Sequence, residues 1–210
     1  MTTNPQEPIV DNILFLAANP SETVRLQLGK EHDKIQTVLQ DTRVSHSFNL
    51  ITRMEVSYDD IQDFLLRNRP RIVHFAGHGA GIDGLIFTDP NGNANIASTE
   101  TLSHLFSLCS SFVECVVLNA CFSEVQANEI ANHIRFVVGM KSAIADQAAI
   151  NFAVGFYRAL GYGESIPNAF NWGVNAIDPH GVPSDQLPVL KVPHGDFGTP
   201  IDYLRKDLID

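Results

Sequence analysis

The chain has 210 residues, of which 44% are hydrophobic and 18% charged, a balance that predicts one folded domain with little long disorder. Its 14 Lys and Arg against 24 Asp and Glu give a formal charge of −10, and without a basic run direct nucleic-acid binding is not expected, because phosphate recognition draws on clustered cations. No apolar stretch reaches the roughly 18 residues needed to span a bilayer, and the first twelve residues are too polar for a signal peptide, so a cytoplasmic protein with no membrane contact is expected.

The elements follow in order. Ile13-Leu14-Phe15-Leu16-Ala17-Ala18 is a continuous apolar run of the length of a parallel strand buried on both faces, stopped by Asn19-Pro20-Ser21. Leu28, Ile35, Val38 and Leu39 keep a helical period up to about Gln40, and residues 48–56 read as a second strand. Ser57 with Asp60 three positions on resembles a capping box that opens a helix bearing Ile61, Phe64 and Leu65 and ending at Pro70. Residues 71–76 form a third strand running into Gly77-His78-Gly79. Residues 85–87 with Asp89-Pro90-Asn91-Gly92-Asn93 make a short hairpin arm. Ser98 caps a helix with Leu102, Leu105, Phe106 and Leu108 on its apolar face, and residues 115–119 form a fourth strand. A polar helix over about 123–133, a strand at 136–140, a long helix with Ala149, Phe152, Phe156 and Leu160 on one face and Gly161 at its end, and a last helix over about 167–177 complete the series. A Pro-rich tail with Pro179, Pro183, Pro188, Pro193 and Pro200 suggests an extended path.

Strict strand and helix alternation predicts an α/β protein with an open, mainly parallel sheet between helical layers, a three-layer α/β/α sandwich. The organisation expected is an N-terminal extension at 1–11, a domain at 12–177 and a tail at 178–210. Ligands of such sheets bind outside the carboxyl ends of the strands, where Asn19, His78 and Cys121 all fall.

Three cysteines, Cys109, Cys115 and Cys121, are odd in number and lack zinc or redox spacing, which leaves each a reduced thiol. His78 and Cys121 sit on two different strand ends. A thiol hydrolase needs that juxtaposition, because an imidazole must help generate the thiolate and then deliver a proton to the leaving amine. The Gly79 and Cys121 backbone N–H groups can converge on the developing oxyanion. Asp83 is near in sequence but fits a solvated loop acid, so no third residue is assigned.

Four segments, Ile13-Leu14-Phe15-Leu16-Ala17-Ala18-Asn19-Pro20, Val73-His74-Phe75-Ala76-Gly77-His78-Gly79, Val116-Val117-Leu118-Asn119-Ala120-Cys121 and Asp146-Gln147-Ala148-Ala149-Ile150-Asn151-Phe152, resemble the CHAT family of the caspase/separase clan over about residues 12–177. The resemblance implies a caspase-like fold, cleavage of a protein substrate, no cofactor, and a place in bacterial defence, including antiviral defence, or signalling. It maps the family's His to His78 and its Cys to Cys121. Asn119-Ala120-Cys121-Phe122-Ser123 departs from the Q-A-C-[RQG]-G of caspases proper, and Asn19 stands where a basic residue would recognise Asp, so Asp at P1 is disfavoured.

Plainer readings stand beside these. Cys109 and Cys115 fit small core hydrophobes. His74 fits a hydrogen-bonded core histidine, with a His74/His78 metal pair as the competitor, although no remaining ligands are supplied. His104 and His133 fit helix surfaces. Asp146 is either a cap for the long helix or a wall of the S1 pocket favouring basic P1 residues; Asn19, Asn119 and Ser142 are further pocket candidates. The function expected is a cysteine endopeptidase making limited cuts in a partner protein under control of another protein, a cleavage event or oligomer formation. Its alternatives are an inactive caspase-like scaffold and a small-molecule cysteine hydrolase.

Overall fold

The computed structural model describes residues 10–41, 48–177 and 188–193. A six-stranded sheet in the order β2-β1-β3-β7-β8-β9 forms its centre, built from β1 (Asp11–Ala17), β2 (Phe48–Arg53), β3 (Ile72–Ala76), β7 (Cys115–Asn119), β8 (Phe136–Met140) and β9 (Pro188–Lys191). The first five are parallel and β9 pairs antiparallel with β8. The fully buried strands β1, β3, β7 and β8 carry the near-continuous apolar sequence that burial on both faces demands.

Alternation along β1 divides the core. Ile13, Phe15 and Ala17 face α1 (Leu28–Gln40), α5 (Asp146–Gly161) and α6 (Ile166–Ile177). Leu14 and Leu16 face α2 (Tyr58–Asn68), α3 (Thr99–Ser107) and α4 (Glu124–Ile130). The sandwich read from the alternation of elements is therefore the one observed. On α5 the buried Phe152 and Phe156 anchor the first layer, each stabilising it by about 1.5–3 kcal/mol through removal from water.

Several local expectations change. Ser57 does precede α2, but its hydroxyl donates to Asp60 Oδ2 at 2.6 Å and makes no cap bond to the helix backbone. Ser98 does cap α3, accepting from the Thr101 N–H at 3.1 Å. Leu108 lies just past the end of α3 and is 64% exposed, outside the apolar face assigned to it. Gly161 is the last helical residue of α5, whereas Gly163, at φ 87°, takes the left-handed turn that reverses the chain.

The hairpin arm is larger than its sequence suggested. β4 (His78–Gly79), β5 (Leu85–Thr88) and β6 (Ala94–Ala97) form a separate antiparallel sheet. In the tail, Pro188 to Lys191 adds β9 to the sheet edge, where Pro is tolerated; Pro179, Pro183 and Pro200 lie outside the described residues, as does most of the 1–11 extension. No helix among the described residues is long and apolar enough to cross a membrane.

Candidate active site

Adjacent strands β3 and β7 are in parallel register, ending with Ala76 opposite Asn119. His78 and Cys121 each stand two residues beyond that last pair, so the register alone delivers both to the same rim of the sheet. The Gly77 N–H still donates to the Asn119 carbonyl at 3.3 Å. There the chain leaves the main sheet, and His78 and Gly79 pair with Ile86 and Leu85. Gly79 packs against the backbone of Cys121 so closely that a Cβ would lie 1.9 Å from the Cys121 carbonyl oxygen. Only glycine permits this approach.

Past Cys121 the chain turns through Phe122 in the left-handed region at φ 57°, a conformation that costs a non-glycine residue about 1–3 kcal/mol. Neighbouring contacts hold it. The Phe122 N–H donates to the Ser142 carbonyl at 3.3 Å. The fully buried Ser123 hydroxyl donates to the Leu118 carbonyl and accepts from the Met140 N–H, both at 3.0 Å, which ties the ends of β7 and β8 together.

The His78 ring is half-exposed, and its Nε2 lies 2.8 Å from the Val24 carbonyl oxygen. A carbonyl only accepts, so Nε2 carries a hydrogen, and in the neutral ring Nδ1 is the nitrogen with the lone pair. The Cys121 thiol is partly exposed and sits 4.0 Å from the Ile144 carbonyl. Cys109 and Cys115 are both buried, and burial pushes both thiols up, away from the thiolate. Among the three, Cys121 is the thiol that solvent can reach.

His78 and Cys121 border one cleft together with Asn119, Asp146 and Glu31. Asp146 makes no cap bond to α5; its Oδ2 accepts the Gln27 N–H at 3.3 Å and so holds the loop between β1 and α1. Asn19 and Ser142 do not line the cleft. Asn19 Oδ1 accepts the Leu26 N–H at 3.3 Å within the same loop, and Ser142 lends its carbonyl to the turn after Cys121. His74 is fully buried, stacked on Phe15 with ring centroids 5.0 Å apart. Its Nδ1 meets the Tyr157 hydroxyl at 3.1 Å and its Nε2 meets Glu31 Oε1 at 2.9 Å, so both nitrogens are engaged inside the core.

Sequence reasoning missed three parts of this site. The Val24 carbonyl has no side-chain signature. Ser123 opens α4 as the sequence suggested, but its hydroxyl's tie between β7 and β8 carried no signal. Glu31 had a signal, for it occupies an inward helical position between Leu28 and Ile35 where an apolar residue is expected; an acid there calls for a buried partner.

A mainly parallel sheet between two helical layers is the fold of the caspase-like cysteine proteases. Caspase-1 from Spodoptera frugiperda superposes with a TM-score of 0.60 at 11% identity, over 91% of this chain and 92% of that one. A secreted C11 cysteine protease from Bacteroides thetaiotaomicron, "iotapain", gives 0.58 at 11% identity, over 80% of this chain and 62% of that one. Residues 2–171 match the CHAT domain family, and the chain belongs to it. A "Roc-COR-CHAT protease" from an unknown prokaryotic organism is 29% identical over 86% of this chain and 18% of its own length. A "Probable protease" from Gillisia limnaea is 25% identical over 80% of this chain and 31% of its own length. The chain thus spans less than a third of the length of these relatives.

Proposed function

We propose that the chain is a cysteine endopeptidase in which Cys121 is the nucleophile and His78 the acid/base. The observation that carries this reading is the shared register of β3 and β7, which places both side chains on one cleft, with the distal nitrogen of His78 held by Val24. Nδ1 of His78 takes the thiol proton as Cys121 Sγ attacks the scissile carbonyl carbon, then returns it to the leaving amine as the thioester forms. Water, deprotonated by the same nitrogen, hydrolyses the thioester and regenerates the thiol. The N–H groups of Gly79 and Cys121 serve the oxyanion, each such donor being worth about 3–4 kcal/mol in the transition state.

The substrate is a protein cut at few sites, and control comes from another protein, a cleavage event or oligomer formation, in a cytoplasmic module of bacterial defence or signalling. The protease named in the Roc-COR-CHAT relative supports this reading. An active-site label built on a peptidyl acyloxymethyl ketone tests the chemistry. It is expected to modify Cys121 and spare Cys109 and Cys115 when labelled peptides are read by mass spectrometry, and modification of Cys109 instead would refute the assignment.

Asp146 borders the cleft and repels acidic P1 side chains at close range while attracting Arg and Lys. Profiling a peptide library with wild type and Asp146→Asn should show a basic P1 preference that the variant loses about tenfold relative to neutral P1 residues. A wild-type preference for Asp at P1 contradicts this specificity and leaves the nucleophile untouched.

A further inference from the structure

The cleft beside Cys121 has walls and a floor of different chemistry. Leu26, Ile144 and Ile150 contribute apolar surface, Glu31, Asn119 and Asp146 contribute oxygen acceptors, and no lysine or arginine among the described residues borders it. Glu31 is only 4% exposed. Its Oε1 accepts from His74 Nε2 at 2.9 Å and from Asn119 Nδ2 at 2.5 Å, while its Oε2 has no hydrogen-bond partner among the described residues. Asn119 is 6% exposed, and its Nδ2 also donates to the Ala149 carbonyl at 3.3 Å. Its Oδ1 is buried with no partner, a costly state for an acceptor.

The environment of Glu31 sharpens its demand. Burial pushes the Tyr157 phenol well above its ordinary range, so it keeps its hydrogen, and its oxygen lies 3.1 Å from His74 Nδ1. On its other side His74 meets Glu31 through Nε2, which carries the hydrogen because a carboxylate only accepts. Of the two lysines nearest to Glu31 on α1, Lys30 turns outward to Gln27 Oε1 at 3.2 Å and Gln147 Oε1 at 2.9 Å, and Lys34 is exposed. A buried carboxylate with one free oxygen, beside an orphaned carboxamide oxygen, is a site for a cation.

We propose that Glu31 is the principal specificity-determining carboxylate of the S1 pocket: with Asn119 Oδ1 it receives the guanidinium or ammonium of a P1 arginine or lysine, whose methylene stem packs along the apolar walls. The inference rests on the reading of this cleft as S1 and of P1 as basic, and it assigns the larger share of that preference to Glu31. Asp146 is half-exposed and already engaged by the Gln27 N–H, so water screens it more strongly than the buried Glu31.

The test compares kcat/KM for two peptides that differ only at P1, arginine against its neutral isostere citrulline. Wild type is expected to favour arginine by about 100-fold or more, and Glu31→Gln to bring the ratio close to unity by a selective loss on the arginine peptide. Glu31→Asp, which keeps the charge should Glu31→Gln fail to fold, is expected to retain a preference about tenfold smaller than wild type. A wild-type ratio surviving in either Glu31 variant, or an equal loss on both peptides, overturns the role of Glu31 while the basic P1 reading stands. A wild-type enzyme that does not distinguish the two peptides overturns both.

Discussion

Cys121→Ala is expected to lower the rate of peptide-bond cleavage on the order of 10⁶-fold, the scale set by loss of a nucleophile from an intact hydrolase site. No other thiol can substitute. Cys115 is fully buried in β7 and Cys109 is buried behind α3, each with burial holding it as the thiol. Removing one partly exposed sulfur, which makes a 4.0 Å hydrogen-bond contact to the Ile144 carbonyl, costs little packing, so stability should change by less than about 1 kcal/mol. Cys109→Ala should keep most activity. Turnover of a partner protein by Cys121→Ala at the wild-type rate, measured with thermal unfolding to confirm the fold, rules the mechanism out.

The two histidines of the Val73 to Gly79 segment separate cleanly by kind of effect. His78→Ala is expected to lower kcat by about 10²–10⁴-fold with a smaller change in KM, because proton transfer is needed in the transition state. Its half-exposed ring makes one hydrogen bond, to Val24, so the fold should survive. His74→Ala instead leaves Glu31 without its imidazole partner inside the core and empties the stack on Phe15. That change is expected to cost about 3–5 kcal/mol of stability. Unfolding curves and steady-state kinetics on both variants decide the matter, and a fully active His78→Ala beside an inactive, stably folded His74→Ala would reassign the base.

The parts of the fold that hydrophobic pattern controls were legible from residues alone. The runs in β1, β3, β7 and β8 have no polar face to hide, and their alternation with amphipathic helices leaves few topologies. His78 and Cys121 were legible for a related reason: each follows a buried strand, and strand ends on one side of a parallel sheet share a rim. The rest depended on contacts between segments far apart in the chain. Asp146 read either as a cap for its own helix or as a wall of the S1 pocket, and the N–H it satisfies belongs to Gln27, which precedes α1. Ser123 read as a helix start and does open α4, but its hydroxyl also joins two strand ends through hydrogen bonds to Leu118 and Met140, which the sequence did not show. Two-residue β4 was invisible because His78 and Gly79 carry no alternation of their own; their pairing with Leu85 and Ile86 creates the strand.

The segment joining β1 to α1 supplies two unrelated services. Its Val24 carbonyl holds Nε2 of His78, and its Leu26 and Gln27 form part of the wall of the cleft. In the proposed mechanism, ligand recognition and proton transfer therefore share a mechanical part. A side chain that seats fully against Leu26 and Gln27 steadies the segment and, through Val24, the aim of Nδ1. A substrate that leaves the pocket empty reaches the same thiol with a base free to wander. Selectivity in that mechanism would consequently be written in turnover as well as in affinity, with the wrong peptide held at the rim but processed slowly.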